Sequence, residues 1–416
     1  MKLDTERLRD DIETNATFGE VATEEGRGRT VLTGSEADKR VREYFVTRLE
    51  DADLEVRYDA VGNIVGRWNP PGCDPDLAPI AFGSHLDSVP RGGIFDGPLG
   101  TYGALEGVRT MQETDVTLDR PIEVVSFTEE EGARFGVGTL GSSVASGELS
   151  TREALKLEDA DGITLQERLD EIGFRGEGTI DVGKWDAWME LHIEQGTRLT
   201  DAGAAVGIVE SITGITNCEV TVTGTADHAG ATPMFERSDA LAAGSEFVLT
   251  LERIAEEVAT THEAAVGTVG EGSIEPNVRN IIPERVRYQL DIRDVDQETM
   301  DTIVERCRSS LERIEHHRNV TTSLSRYRNT SPIAMSERCL SAAAAATEPN
   351  TESIRLYSAA MHDTANVGGV TDAGLLFAPS EDGVSHSPRE WTDWEDCAIA
   401  SGVLAGAVQS LASEAS

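Results

Sequence analysis

Five residues of metal-ligand type stand in five separate short motifs: His85 in GSHLDSVPRGG, Asp96 in GIFDGPLG, Glu131 in FTEEEGARF, His192 in LHIEQG and His386 in GVSHSPRE. Imidazole nitrogen and carboxylate oxygen suit zinc, and a catalytic zinc site keeps one position open for water. An aspartate on a glycine-flanked loop suits a carboxylate shared between two ions roughly 3.5–4 Å apart. This reading puts His85, Asp96 and His192 on one divalent cation, and Asp96, Glu131 and His386 on the other. Zinc is the expected metal, with manganese and cobalt as alternatives. Glu130 directly precedes a ligand and is left to face the reacting water as general base. Its plainer reading is one member of an acidic run, Glu129-Glu130-Glu131. Asp87, two residues past His85, is expected either to hold that imidazole from behind or to be an ordinary loop carboxylate.

Delivering these side chains to one place requires a particular scaffold. Short apolar runs bounded by turns, PIAFGS, PIEVVSFT, WMELHIE and GLLFAPS, read as buried strands, with helical stretches between them. That alternation predicts an α/β fold with a mostly parallel sheet, in which ligands gather beyond the carboxyl ends of the strands. His85, Glu131, His192 and His386 each follow one of those runs. An amphipathic helix is expected over residues 38–53 with Ser35 as its N-cap, followed by a hairpin turning near Gly62-Asn63. From about Gly214 the pattern changes to an α+β unit with long helices over residues 238–257 and 296–316. The expected division is a discontinuous catalytic unit, 1–212 and 328–416, interrupted by an inserted unit, 213–327.

Composition narrows the function further. The chain has 416 residues and a net charge of −39, with only four lysines, Lys2, Lys39, Lys156 and Lys184. No basic face is available for nucleic-acid phosphates, and no apolar run is long enough for a membrane span. The charged start MKLDTERLRDDIE argues against a signal peptide. Five scattered cysteines without a CxxC pair read as reduced thiols, so a cytoplasmic protein is expected. The acidic excess, screened only by concentrated salt, points to a halophilic source.

The segments SHLDSVPRGGIFDG, FTEEEGARFG, LHIEQG, DHAGATPM and GVSHSPREW resemble the amidase/hydantoinase/carbamoylase branch of the M20 metallopeptidase family, over almost the whole chain and in order. That resemblance implies a dinuclear catalytic domain with an inserted dimerisation (lid) domain, a homodimer, and the ligands and base named above. The position of His192 is usually acidic in the family's peptidases, whereas a histidine there, with Gln195 in LHIEQG, marks enzymes cutting ureido carbon–nitrogen bonds. The resemblance further implies that Gln195 and His362 contact substrate and that His228 polarises the carbonyl oxygen. Asn280 and Arg293 would grip the carboxylate of a small anionic ureido substrate, Arg293 being otherwise a surface partner of Asp291 or Asp294. The expected activity is hydrolysis of N-carbamoyl-L-amino acids. Allantoate, a β-ureido acid, peptidase action and a non-catalytic binding protein are the alternatives. One departure bears on specificity: where relatives carry SGAGHDA, this chain reads SAAMHDTANVGG.

Overall fold

Apolar runs without alternation become strands buried on both faces, which is the signature of a covered parallel sheet. The computed structural model describes residues 1–114 and 116–413. Its strands are β1 (Glu20–Val21), β2 (Gly28–Arg29), β3 (Glu55–Tyr58), β4 (Ile64–Trp68), β5 (Ile80–His85), β6 (Ile122–Phe127), β7 (Ala187–Ile193), β8 (Val206–Ile212), β9 (Gly214–Thr223), β10 (Val266–Glu275), β11 (Arg285–Asp294), β12 (Thr321–Thr330), β13 (Ile333–Ala334), β14 (Ser353–Ser358) and β15 (Asp372–Ala378). The chain divides into two units, Met1–Glu210 with Met335–Leu356 and Met361–Ser416, and Ser211–Ala334 with Tyr357–Ala360.

The first unit is built on a mixed sheet in the order β8-β15-β7-β5-β6-β4-β3, with β14 also on β8. The pairs β15–β7, β7–β5 and β5–β6 are parallel, so the four most buried strands all point their carboxyl ends the same way. Every residue of β5, β6 and β7 is buried. On one side Phe127, Trp185 and Trp188 form an aromatic cluster with Val65, Val125 and Val367. Helices Pro98–Glu113 and Trp394–Ala412 pack together against the sheet. Helix Glu36–Asp51 begins where the Ser35 side chain accepts the amide of Asp38 at 3.2 Å, a cap worth about 1 kcal/mol. It stops short of the expected residue 53 because Asp53 takes a left-handed backbone, φ 58°, which an L-residue adopts as a single turn position rather than within a helix.

The second unit alternates buried and accessible positions along β9 and β11, as a one-sided antiparallel sheet must. Its order is β10-β11-β9-β12. Helices Ala240–Ala259 and Gln297–Arg318 cover one face, burying Phe247, Leu251, Ile303 and Leu311 against Val220, Val222, Leu290 and Ile292. The unit extends past the expected limits of 213 and 327. β12 stays paired with β9 as far as Thr330 opposite Ile215, β13 pairs with Ser211 and Ile212, and Ser358 accepts the amide of Thr213 at 2.9 Å. Backbone pairing, invisible to a composition-based boundary, sets these ends. No described helix is long and apolar enough to cross a membrane.

A net charge of −39 carries repulsion that salt screens. The melting temperature is expected to rise by about 5 °C or more between 0.1 M and 2 M KCl; a flat or falling profile in calorimetry would show that this repulsion is unimportant.

Candidate metal centre

Register on the central sheet brings the first two histidines together. Gly83 of β5 pairs with Glu190 of β7 in parallel, so two residues further on His85 and His192 emerge side by side on the same face. Their rings stack with centroids 5.7 Å apart. Asp96 arrives on the loop after β5, which ends at Gly97. A side chain there would place Cβ 2.6 Å from the His85 ring, and φ is +83°, so only glycine lets the loop pass this close. Glu131 lies four residues beyond β6, and His386 eight residues beyond β15.

The shared carboxylate is at the middle. Asp96 Oδ1 lies 3.3 Å from His85 Nε2 and 3.1 Å from His192 Nε2. Its other oxygen, Oδ2, lies 3.6 Å from His386 Nε2, which is 3.2 Å from Glu131 Oε2. The two triads His85–Asp96–His192 and Asp96–Glu131–His386 each present their donor atoms within 4.8 Å of one another. The first is fully buried, whereas the His386 side chain is 49% exposed, so one end of the cluster is enclosed and the other open. Glu130 Oε2 lies 3.8 Å from His85 Nε2.

Local hydrogen bonds aim the imidazoles. His85 Nδ1 is 3.3 Å from the Asp87 carbonyl and His192 Nδ1 is 3.0 Å from the Ile193 carbonyl, which assigns the ring proton to Nδ1 and leaves Nε2 as a lone pair. His85 Nε2 is buried without a hydrogen-bond partner, a costly arrangement unless a cation takes the lone pair. Burial alone would depress the basicity of His85, yet Glu130, Asp87 and Asp96 hold it well above the usual histidine range. Burial would raise Asp96, but His192 and His85 pull it well below the carboxylate range. His386, hydrogen-bonded to Glu131, is pushed up to about 9. Glu130 is raised well above an ordinary glutamate, chiefly by burial, against the opposing pull of His85. A field that draws protons so strongly onto its imidazoles also attracts a divalent cation. The donor set and the unsatisfied Nε2 fit a pair of such ions.

Asp87 stands behind His85, with its carbonyl 3.3 Å and its Oδ1 3.6 Å from Nδ1, and does more than the sequence suggests: its two carboxylate oxygens accept the amides of Glu130 and Glu131, each at 3.2 Å. It therefore fixes the loop that carries Glu130 and Glu131. Glu129 is buried with φ +55° and accepts the amides of Arg134 and Phe135, both at 2.8 Å, shaping the turn after the ligand. Two residues escaped sequence reasoning although they flank His386 in its motif. Ser385 donates to Asp96 Oδ2 at 2.8 Å, and Glu390 accepts the amides of Phe95 and Asp96 at 2.9 and 3.0 Å. Gln195 Nε2 lies 3.3 Å from Asp96 Oδ2 and 3.3 Å from Ser385. His362 is buried with its ring 4.6 Å from His192 and 5.5 Å from Phe377.

The remaining three sequence-selected residues belong to the second unit. His228 is exposed, and its Nδ1 accepts the amides of Gly230 and Ala231 at 3.0 and 3.1 Å, so its proton sits on Nε2. Asn280 is its neighbour: the Asn280 carbonyl accepts the Ala229 amide at 2.9 Å. Arg293 grips Asp291 through Nε at 2.8 Å and Nη2 at 3.2 Å, and donates from Nη1 to the Ala359 carbonyl at 2.9 Å.

Residues 81–410 match peptidase family M20/M25/M40. The chain is 40% identical to an N-carbamoyl-L-amino acid amidohydrolase of Geobacillus stearothermophilus, covering 95% of this chain and 96% of that protein. It is 34% identical to an allantoate amidohydrolase of Bacillus subtilis, covering 92% of each. Among solved structures, a hydantoinase/carbamoylase family amidase of Burkholderia multivorans superimposes with a TM-score of 0.91 at 33% identity, over 100% of this chain and 99% of that one. The chain belongs to peptidase family M20/M25/M40, and within it to the group of hydantoinase/carbamoylase amidases.

Proposed function

We propose that this protein is a divalent-metal amidohydrolase that cleaves the ureido carbon–nitrogen bond of N-carbamoyl-L-amino acids, working as a homodimer and releasing the amino acid, ammonia and carbon dioxide. The observation that carries this reading is the double use of Asp96, one oxygen between His85 and His192 and the other facing His386, with Glu130 beside them. His85, Asp96 and His192 would hold one cation, and Asp96, Glu131 and His386 the second. Bound there, such ions supply Lewis acidity and make water acidic enough to attack near neutral pH. Zinc suits this nitrogen and oxygen donor set, and manganese or cobalt would serve.

The chain's own groups carry the proton and the substrate. Glu130 Oε2 takes the proton of the attacking water and returns it to the leaving nitrogen. His228, protonated on Nε2, donates to the carbonyl oxygen as negative charge develops there. Asp291 takes Nε and one Nη2 proton of Arg293, and the Ala359 carbonyl takes one Nη1 proton; the one proton remaining on each Nη would meet a substrate carboxylate, and Asn280 adds an amide. Gln195, beside Asp96 and His386, and His362, beside His192, orient the ureido group. A second reading, allantoate as substrate, is favoured by the 34% identity to the Bacillus enzyme, since allantoate is also an anionic ureido compound.

A substrate panel decides between them: N-carbamoyl-L-amino acids are expected to give the highest kcat/KM, and faster turnover of allantoate would replace the first reading by the second. Exhaustive chelation should abolish hydrolysis, and Zn²⁺, Mn²⁺ or Co²⁺ should restore it; undiminished activity in metal-free protein would refute the metal requirement. Glu130→Gln should lower kcat by about 10²–10⁴-fold with bound metal and KM nearly unchanged. Wild-type kcat in this variant would remove Glu130 from the mechanism.

A further inference from the structure

Arg29 lies outside the span matched by the family, residues 81–410, yet its fully buried side chain ends behind the metal centre. Its guanidinium donates to four backbone carbonyls: Nη1 to Leu86 at 2.9 Å, Nη2 to Asp87 at 3.2 Å and to Asp96 at 3.3 Å, and Nε to Gly93 at 3.2 Å. These carbonyls bracket the loop between His85 and Asp96. Among the described residues no carboxylate stands within ion-pair distance of this arginine. A buried guanidinium so placed is costly; the carbonyls, together with the fields of Glu390, Asp96, Asp87 and Glu131, offset that cost.

The backbone around Arg29 is tied to the same loops. Arg29 N donates to the Gly92 carbonyl at 3.0 Å, and Val31 exchanges hydrogen bonds with Ser88, one to its Oγ and one from its amide, both 2.9 Å. On the other flank Arg27 N donates to the Pro388 carbonyl at 2.8 Å, two residues after His386. Gly26 keeps that approach open: φ is +70°, and a Cβ there would lie 1.8 Å from the Pro388 oxygen. Glu390 completes the arrangement by accepting the Asp96 amide while Arg29 takes the Asp96 carbonyl. The backbone of the shared aspartate is thus held on both sides.

We infer that residues 26–31 form a strap across the ligand loops, and that Arg29 is a positioning residue that fixes the spacing of His85, Asp96 and His386 for cation binding. The inference rests on the metal-centre reading, and it concerns geometry rather than charge. Lysine in place of Arg29 keeps the positive charge but presents a compact ammonium on a flexible stem, which cannot reach four carbonyls arranged around a planar fork.

The test is titration of chelated protein with Zn²⁺ by calorimetry and with Co²⁺ by visible absorption. Wild type is expected to take two equivalents, and Arg29→Lys to bind with affinity lower by about 10–100-fold and an altered Co²⁺ spectrum, while its far-ultraviolet circular dichroism stays native. Failure of wild type to bind either ion would overturn the metal reading itself. Two equivalents bound by Arg29→Lys at wild-type affinity, with an unchanged spectrum, would overturn the strap alone. If Arg29→Lys does not fold, Ser88→Ala replaces it: this variant removes one tie between Val31 and the ligand loop and should weaken Zn²⁺ binding measurably, whereas unchanged affinity would count against the strap.

Discussion

The molecule turns on one carboxylate reached from both sides. Asp96 has two imidazoles at one oxygen and a third facing the other. Such a grouping is unstable unless positive charge is shared through it, because its imidazoles and carboxylates are mostly withdrawn from water. The same demand for positive charge shows in the basicities, with His85 and His386 raised above the usual histidine range by the carboxylates around them and Asp96 lowered below the carboxylate range by its imidazoles. The surrounding construction can be understood as what keeps these groups together despite the cost of their burial.

The fold meets this demand through the order of the central sheet. Parallel pairing of β5 with β7 places His85 level with His192 without relying on loop conformation. Loops then bring the less buried partners, and each loop is tied down separately. Asp87 holds the amides of Glu130 and Glu131, Glu129 shapes the turn after them, and Glu390 holds the amide of Asp96. The result is graded: an enclosed triad whose two histidines stand on strands, and a more open triad whose members all come from loops.

How much of this could be read from sequence depends on what fixes each feature. Ligand-type residues were legible because His85, Glu131, His192 and His386 each sit in a short motif following an apolar run and Asp96 on a glycine-flanked loop, and both run and motif are local. The mostly parallel sheet was legible for the same reason. Features set by distant backbone pairing were not. The second unit continues to Ala334 because β13 pairs with Ser211 and Ile212, which no composition change announces. Asp87 was expected to hold His85, and its Oδ1 does lie 3.6 Å from His85 Nδ1, but nothing local announces that the same carboxylate also ties down the amides of Glu130 and Glu131. Arg29 has neither periodicity nor motif around it, and its role rests on four carbonyls 57 to 67 positions away. Ser385 and Glu390 could have been suspected from their place around His386.

The most direct measurement of the central claim is an anomalous difference map at the zinc absorption edge from crystals grown with Zn²⁺. Two peaks roughly 3.5–4 Å apart, with the Asp96 carboxylate between them, His85 and His192 on one and Glu131 and His386 on the other, are the predicted result. Peaks confined to surface carboxylates, or a single ion that leaves one oxygen of Asp96 hydrogen-bonded only to protein, would contradict the shared-carboxylate account.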